Sequence, residues 1–199
     1  MIRYTYVNQL VLNVYSRLPR IEFPLRISDV IDQIPNCRHM SYQEFASVSG
    51  CSVDSVVALC ESKSGCTHYD IKNDRYLILY NDISNDNPGR VRWTCSHEIG
   101  HIMCQHFAFA TYNKLCENSL SSGLTPEYER EADYFAATLL APFPIMKYMG
   151  ISSRAETQSI FGLSREASDY TFKRFVDWKS SHYKKAWEND FLKIYNEKK

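Results

Sequence analysis

The residues best placed to do chemistry are His97-Glu98-Ile99-Gly100-His101. The segment around them reads as helix. Two imidazoles four residues apart then lie one turn apart on the same face, where their ring nitrogens can bind one tetrahedral metal. Glu98 sits about 100° round from His97, so its carboxylate can reach a metal-activated water without being a ligand itself. An HExxH pentapeptide arises by chance in roughly one in 200 chains of this length, so the surrounding residues must decide. On a helical wheel with His97 at zero, Trp93, Thr94, His101 and Cys104 fall within about 60° of it, while Val91, Cys95, Ile99, Ile102 and Met103 gather opposite. The helix therefore has a core face and a histidine face. Cys104 shares the histidine face, but it lies a turn beyond His101, and a packed thiol is the simpler reading.

A hydrolytic zinc site needs a third protein ligand and an open position for water. Candidates lie in TPEYEREADYFAATLLAP, residues 125–142. Its apolar stripe is Tyr128, Ala132, Phe135, Ala136, Leu139 and Leu140. Measured from Ala132, Glu129 lies at about 60°, inside the stripe, and Glu131 at about 100°, on its far flank; Glu127 and Arg130 point outward. A carboxylate within an apolar stripe must be paired, protonated or bound to metal. Glu129 is therefore the expected third ligand, ahead of Glu131. Asp133, one turn after Glu129, can accept the second ring N–H of a ligating histidine and so fix its tautomer.

These residues need two helices and something to hold them. Asn87 can cap a helix with Pro88 in its first turn, running to about 107. Thr125-Pro126 repeats that start and opens a helix that ends by Ala141, before Pro142. Ahead of them, CTHYDI and RYLILYND are β-rich runs separated by Lys72-Asn73-Asp74, which is turn chemistry, so a β-hairpin is expected. The continuous apolar run Tyr76–Tyr80 predicts a strand covered on both faces. If its outer edge is free, that strand could hold an extended peptide by β-augmentation. Residues 1–62 read as mostly helical: an amphipathic start with Tyr6, Leu10, Val14 and Leu18, a helix through 27–34, and two short helices joined at Gly50 with Phe45, Val48, Val53, Val56 and Val57 turned inward. Beyond 142, a helix pair turns at Gly162 with Ser164 as a cap. Its outline resembles a helix-turn-helix, though a pair packed on the core is the commoner arrangement. Tyr183, Trp187, Phe191 and Ile194 then form an aromatic stripe, read as core.

The chain has 199 residues, 44% of them hydrophobic, with 23 Lys+Arg against 23 Asp+Glu. Disorder throughout is excluded, because such a chain can bury a sizeable core. Charge neutrality removes the main reason to expect direct nucleic-acid binding, which grows with the number of phosphates neutralised. Residues 143–199 carry a balance of +4 and residues 1–142 of −4, too small an asymmetry to demand a polyanion. No apolar run approaches the roughly 20 residues of a membrane span, and the start lacks a signal peptide's order. The seven cysteines are odd in number and lack CxxC spacing, so reduced thiols packed as small hydrophobes are expected. A cytoplasmic setting follows as the expectation.

RWTCSHEIGH, followed after a loop by EREADYFAATLLAP, resembles the ImmA/IrrE family of cytoplasmic zinc metallopeptidases. That family pairs an R-F-T-x-A-H-E-x-G-H helix with a second reading E-x-x-A-N-x-F-A-x-x-L-L-x-P. The paired motifs span about 90 to 142. The resemblance implies that His97, His101 and Glu129 are metal ligands and Glu98 the catalytic acid/base. Departures are mild: Trp93 stands where Phe is usual, Asp133 where Asn is common, and Ala141 precedes the proline. Members are similar in cleaving helix-turn-helix repressors of mobile elements or stress responses.

The combined expectation is an α+β, mainly helical, gluzincin-like domain with a small antiparallel sheet and the HExxH helix beside it. It would be one domain over 1–199, with N-terminal helices in 1–62, the hairpin and zinc-site helices in 65–142 and a helical segment in 143–199. The activity would be a zinc endopeptidase, able to accept Mn2+, acting on a protein substrate, a DNA-binding repressor, with no membrane partner. The rivals are a metal-stabilised module that binds such a regulator without cutting it, and a DNA-binding protein with a structural metal. Glu98 discriminates, because a purely structural site has no use for an acid/base there.

Overall fold

The computed structural model describes residues 2–83, 87–108, 114–116, 126–180 and 186–199, with only the backbone for 114–116 and 186. Helix α1 (Tyr4–Arg17) buries Val7, Val11, Val14 and Tyr15 and leaves Tyr6 and Leu10 at the half-buried margin. Of the expected stripe, Val14 and Leu18 are buried, while Val7 and Val11 take the inward places expected of Tyr6 and Leu10. Helix α2 (Ile27–Ile31) is short. Strand β1 (Cys37–Ser41) follows within the stretch expected to be helical. CRHMS has little β-branched character, so the strand owes its existence to the sheet edge it joins rather than to propensity. Ser41 then starts α3 (Tyr42–Ser49) with a reciprocal capping box, in which its hydroxyl accepts from the Glu44 N–H and the Glu44 carboxylate accepts from the Ser41 N–H. Gly50, left-handed at φ 66°, ends that helix, and Ser52 caps α4 (Val53–Cys60). Val56 is buried as expected, but Val48 is 76% exposed and does not face the core.

Strands β2 (Gly65–Asp70) and β3 (Arg75–Tyr80) form the expected antiparallel hairpin. With β4 (Lys114–Cys116) the sheet order is β1-β3-β2-β4. The sheet is mixed rather than wholly antiparallel, because β1 runs parallel to β3 while β2 pairs antiparallel with both β3 and β4. Strand β3 is covered on both faces: Ile78 joins the main core, and Leu79 a smaller one with Tyr42, Ala46, Val56, Cys60 and Cys66. Its edges are covered too, by β1 and β2. Peptide addition to β3 is therefore ruled out; the strand is interior, as its unbroken apolar run already suited.

Helix α5 (Pro88–Met103) starts where expected, with the Asn87 side chain accepting from the Gly89 N–H at 2.9 Å, but stops at Met103 rather than near 107. Gln105 at φ 61° reverses the chain into a 3-10 turn, His106–Ala108. Helix α6 (Pro126–Leu140) packs along α5. Gly100 sets their separation. A Cβ there would sit 3.1 Å from the Ala132 Cα and 3.2 Å from the Phe135 Cβ, so any larger residue would push the helices apart. Helix α1 lies along α6 and is tied to it by Tyr15 Oη donating to the Leu139 carbonyl and Tyr134 Oη donating to Asn8.

Helix α7 (Phe143–Tyr148) leads to α8 (Arg154–Phe161) and α9 (Arg165–Ser180), which turn at left-handed Gly162 with Ser164 Oγ accepting from the Ala167 N–H. Phe161, Leu163, Ala167 and Phe175 are buried, so the pair packs on the core. Helix α10 (Ala186–Lys198) inserts Trp187 and Phe191, whose ring meets Tyr15 at 5.2 Å. The aromatic stripe is core, as expected; Tyr183 and the Thr125 cap lie outside the described residues. No disulfide joins the six cysteines with described side chains. Among the described residues no helix is long and apolar enough to cross a membrane.

Candidate metal centre

His97 and His101 project from α5 toward α6, where Glu129 meets both. The His97 and His101 Nε2 atoms are 3.0 Å apart, His97 Nε2 is 3.3 Å from Glu129 Oε2, and His101 Nε2 is 3.7 Å from Glu129 Oε1. Metal–ligand bonds of about 2.0–2.1 Å in a tetrahedron put ligand atoms about 3.3 Å apart, so the three donors fit a zinc-sized cation. Both histidines are buried, and the Glu129 side chain is 28% exposed, which leaves a side open to solvent. Two ring nitrogens facing each other at 3.0 Å cannot both carry protons. Burial works against charge on His97, but Asp133 and Glu129 outweigh it and hold its pKa well above the ordinary imidazole range. Burial and the neighbouring His97 push His101 well below that range. Without metal the pair therefore holds one proton between the nitrogens, and a cation would displace it.

Glu98 is fully buried, and Thr67 Oγ1 on β2 donates to its Oε2 at 2.6 Å. The hairpin thus fixes the carboxylate that follows His97. Thr67 carries no motif of its own. Strand periodicity places it on the same face as Tyr69 and Gly65, but nothing in the sequence pairs it with Glu98.

Around the donors the two histidines are oriented differently. His97 Nδ1 meets Asp133 Oδ1 at 3.0 Å, and that carboxylate is 33% exposed. His101 Nδ1 meets the His106 Nδ1 at 2.8 Å, and His106 Nε2 meets Glu131 Oε2 at 3.0 Å. Glu131 accepts in turn from Arg3, through its backbone N–H at 2.8 Å and through its guanidinium Nε and Nη2. The helical wheel puts Glu129 inside the apolar stripe and Glu131 on its flank. In the fold the Glu131 side chain is only 3% exposed, because α1 covers that flank of α6, and Glu129 is the more open of the two. Burial alone would raise the Glu131 pKa, but the hydrogen bonds from Arg3 and His106 hold it at about 2. Burial pushes the His106 pKa down, against the pull of Glu131. Cys104 is buried beside His106 and Glu131, a packed thiol as expected, and burial pushes its pKa up.

The family described as peptidase M78, IrrE N-terminal-like domain, matches residues 59–173, more than half of the chain. The chain belongs to this family. The peptidase M78 match takes in β2, β3, the HExxH helix, α6 and most of α9, and so covers His97, Glu98, His101, Glu129 and Asp133. It stops short of α1, so Arg3 lies outside it. Family membership makes the protein a metallopeptidase relative with a His97–His101–Glu129 group able to hold its metal. No curated protein matches the chain.

Proposed function

We propose that the protein is a zinc-dependent endopeptidase in which His97, His101 and Glu129 hold the metal, Asp133 orients His97, and Glu98 is the acid/base. The observation that carries this reading is the joining of a three-donor cluster to a buried carboxylate, Glu98, fixed by Thr67 beside it. Zinc bound there supplies Lewis acidity, lowering the pKa of a water towards 7 and polarising the scissile carbonyl. Glu98 accepts the proton lost by the attacking water and later delivers it to the leaving amine. Mn2+ can serve the same two imidazoles and carboxylate.

The substrate in this reading is a protein, a helix-turn-helix repressor of a mobile element or stress response, cut in the cytoplasm. Net neutrality suits a partner recognised as protein rather than as phosphate backbone. With β3 interior, the edge available to an extended peptide beside Thr67 is that of β4, which pairs with β2 on one side and with no other described strand.

The test is Glu98→Gln expressed beside the native protein, with zinc content measured and both incubated with the repressor encoded next to the gene. Equal zinc with cleavage lost by about 10²–10⁴-fold in the variant is the expected result. Unchanged cleavage defeats the assignment of Glu98, and native protein that binds the repressor without cutting it supports the non-catalytic module.

A further inference from the structure

We infer that Glu131, two side chains removed from the metal, dictates through His106 which nitrogen of His101 is free to bind it. The inference rests on His101 being a ligand. Glu131 is a buried carboxylate and can only accept, so the His106 nitrogen facing it, Nε2 at 3.0 Å, must carry hydrogen. A His101 that ligates through Nε2 carries its one hydrogen on Nδ1, and two hydrogens cannot face each other across 2.8 Å, so His106 Nδ1 is bare and its single N–H is the one on Glu131. The His101 Nδ1, 2.8 Å away, must then be the donor across that contact. With its hydrogen on Nδ1, His101 presents a lone pair at Nε2, the atom that faces His97 and Glu129. Once His106 carries a single ring hydrogen, the three contacts admit one arrangement. Reversing any tautomer would set two lone pairs or two hydrogens face to face.

Arg3 anchors the outer end. Its backbone N–H and guanidinium fill the remaining acceptor positions of Glu131, and its Nη2 also donates to the Cys104 carbonyl at the end of α5. That occupancy also decides what the neighbouring Cys104, His106 and Glu131 cluster is. Its three side chains stand within 4.8 Å of one another, but the Arg3 cation already balances its carboxylate, so it serves the first site and is no second metal site. His106, Glu131 and Arg3 are therefore positioning residues. They come from the 3-10 turn, α6 and the residue before α1, three separate elements converging on one imidazole.

The experiment measures tautomers and metal affinity directly. In metal-free protein, long-range 1H–15N correlations should show His101 as the Nδ1–H form and His106 as the Nε2–H form. Glu131→Gln, whose amide can present either hydrogen or oxygen, should mix the two forms and weaken zinc about 10–100-fold in competition with a chromophoric chelator. His106→Phe keeps the stack on the Tyr128 ring, now 4.7 Å between centroids, and removes both nitrogens; it should weaken zinc to a similar degree. In both variants the d–d spectrum of the Co2+ form should change. Unaltered zinc affinity and an unaltered Co2+ spectrum in folded His106→Phe would overturn the inference, as would an Nε2–H tautomer at His101 in the native protein. His101→Ala is the control for the underlying ligand set. If it retains native zinc affinity, the ligand assignment itself has failed, whatever the other variants do.

Discussion

In the proposed metal-bound centre both histidines need hydrogen on Nδ1 and a lone pair on Nε2, and they are held to it by different routes. His97 takes it in one step from Asp133, a third exposed, on the same helix that carries Glu129. His101 takes it in three steps, through two buried side chains and a cation contributed from ahead of α1. The short route is local to the α5–α6 pair and lies within the peptidase M78 match. The long route reaches outside it to Arg3. The difference teaches that, of two histidines proposed as ligands to one metal, one can be tied to the rest of the fold and the other left nearly independent of it. Disturbing α1 should be felt at His101 and scarcely at His97.

The largest break in that symmetry should appear in acid. On folding, the Glu131 pKa falls from the ordinary carboxyl value of 4.5 to about 2, held there by Arg3 and His106 against the effect of burial. The stability it contributes is therefore complete above pH 4.5 and lost as pH falls through 2, an amount on the order of 3 kcal/mol. Urea unfolding of metal-free native protein and Glu131→Gln, compared from pH 7 to pH 2, should show the native advantage shrinking over that window. Asp133→Asn should leave the window intact. A constant difference between native and Glu131→Gln would mean that the long route carries no such charge coupling.

The short route was legible in the sequence and the long one was not, for a physical reason. Glu129 and Asp133 share a helix with the apolar stripe, so a wheel that fixes the stripe fixes their direction as well. His106 lies five residues after His101 and would point elsewhere on a continued helix; it returns to His101 only because Gln105 takes φ 61°. Arg3 sits 128 residues from Glu131, a separation no local period spans. The fold divides the same way. The hairpin, the Gly50 and Gly162 turns, the Asn87 and Ser164 caps and the end of α6 before Pro142 all follow from nearby residues. Strand β1 and the interior position of β3 depend on pairing between distant segments, and CRHMS offers no alternation to announce it.

Thr67 allows a sharper test because it touches neither route. Thr67→Val keeps the side-chain shape and removes the 2.6 Å hydrogen bond to Glu98. A bond to a charged group is worth roughly 1.5–3 kcal/mol, so kcat should fall about 10–100-fold while zinc affinity and both histidine tautomers stay native. A loss of zinc in this variant would show that the strand supports the ligands as well, and that the two orienting routes are not the whole account.

The smallest expected effect is the one that measures the short route. Asp133→Asn preserves an acceptor oxygen that can take the His97 Nδ1–H and removes only the charge, which is a third exposed and so partly screened. Zinc affinity should fall only a few-fold, towards the low end of the range for residues that orient a ligand, because direction is retained and basicity alone is reduced. Asp133→Leu, which removes the acceptor altogether, should fall further. The gap between these two variants separates the value of the hydrogen bond's direction from that of its charge. A full hundredfold loss in Asp133→Asn would make charge the dominant part of the short route. His97 would then depend on Asp133 as an ion pair, and the two routes would differ in kind rather than in length.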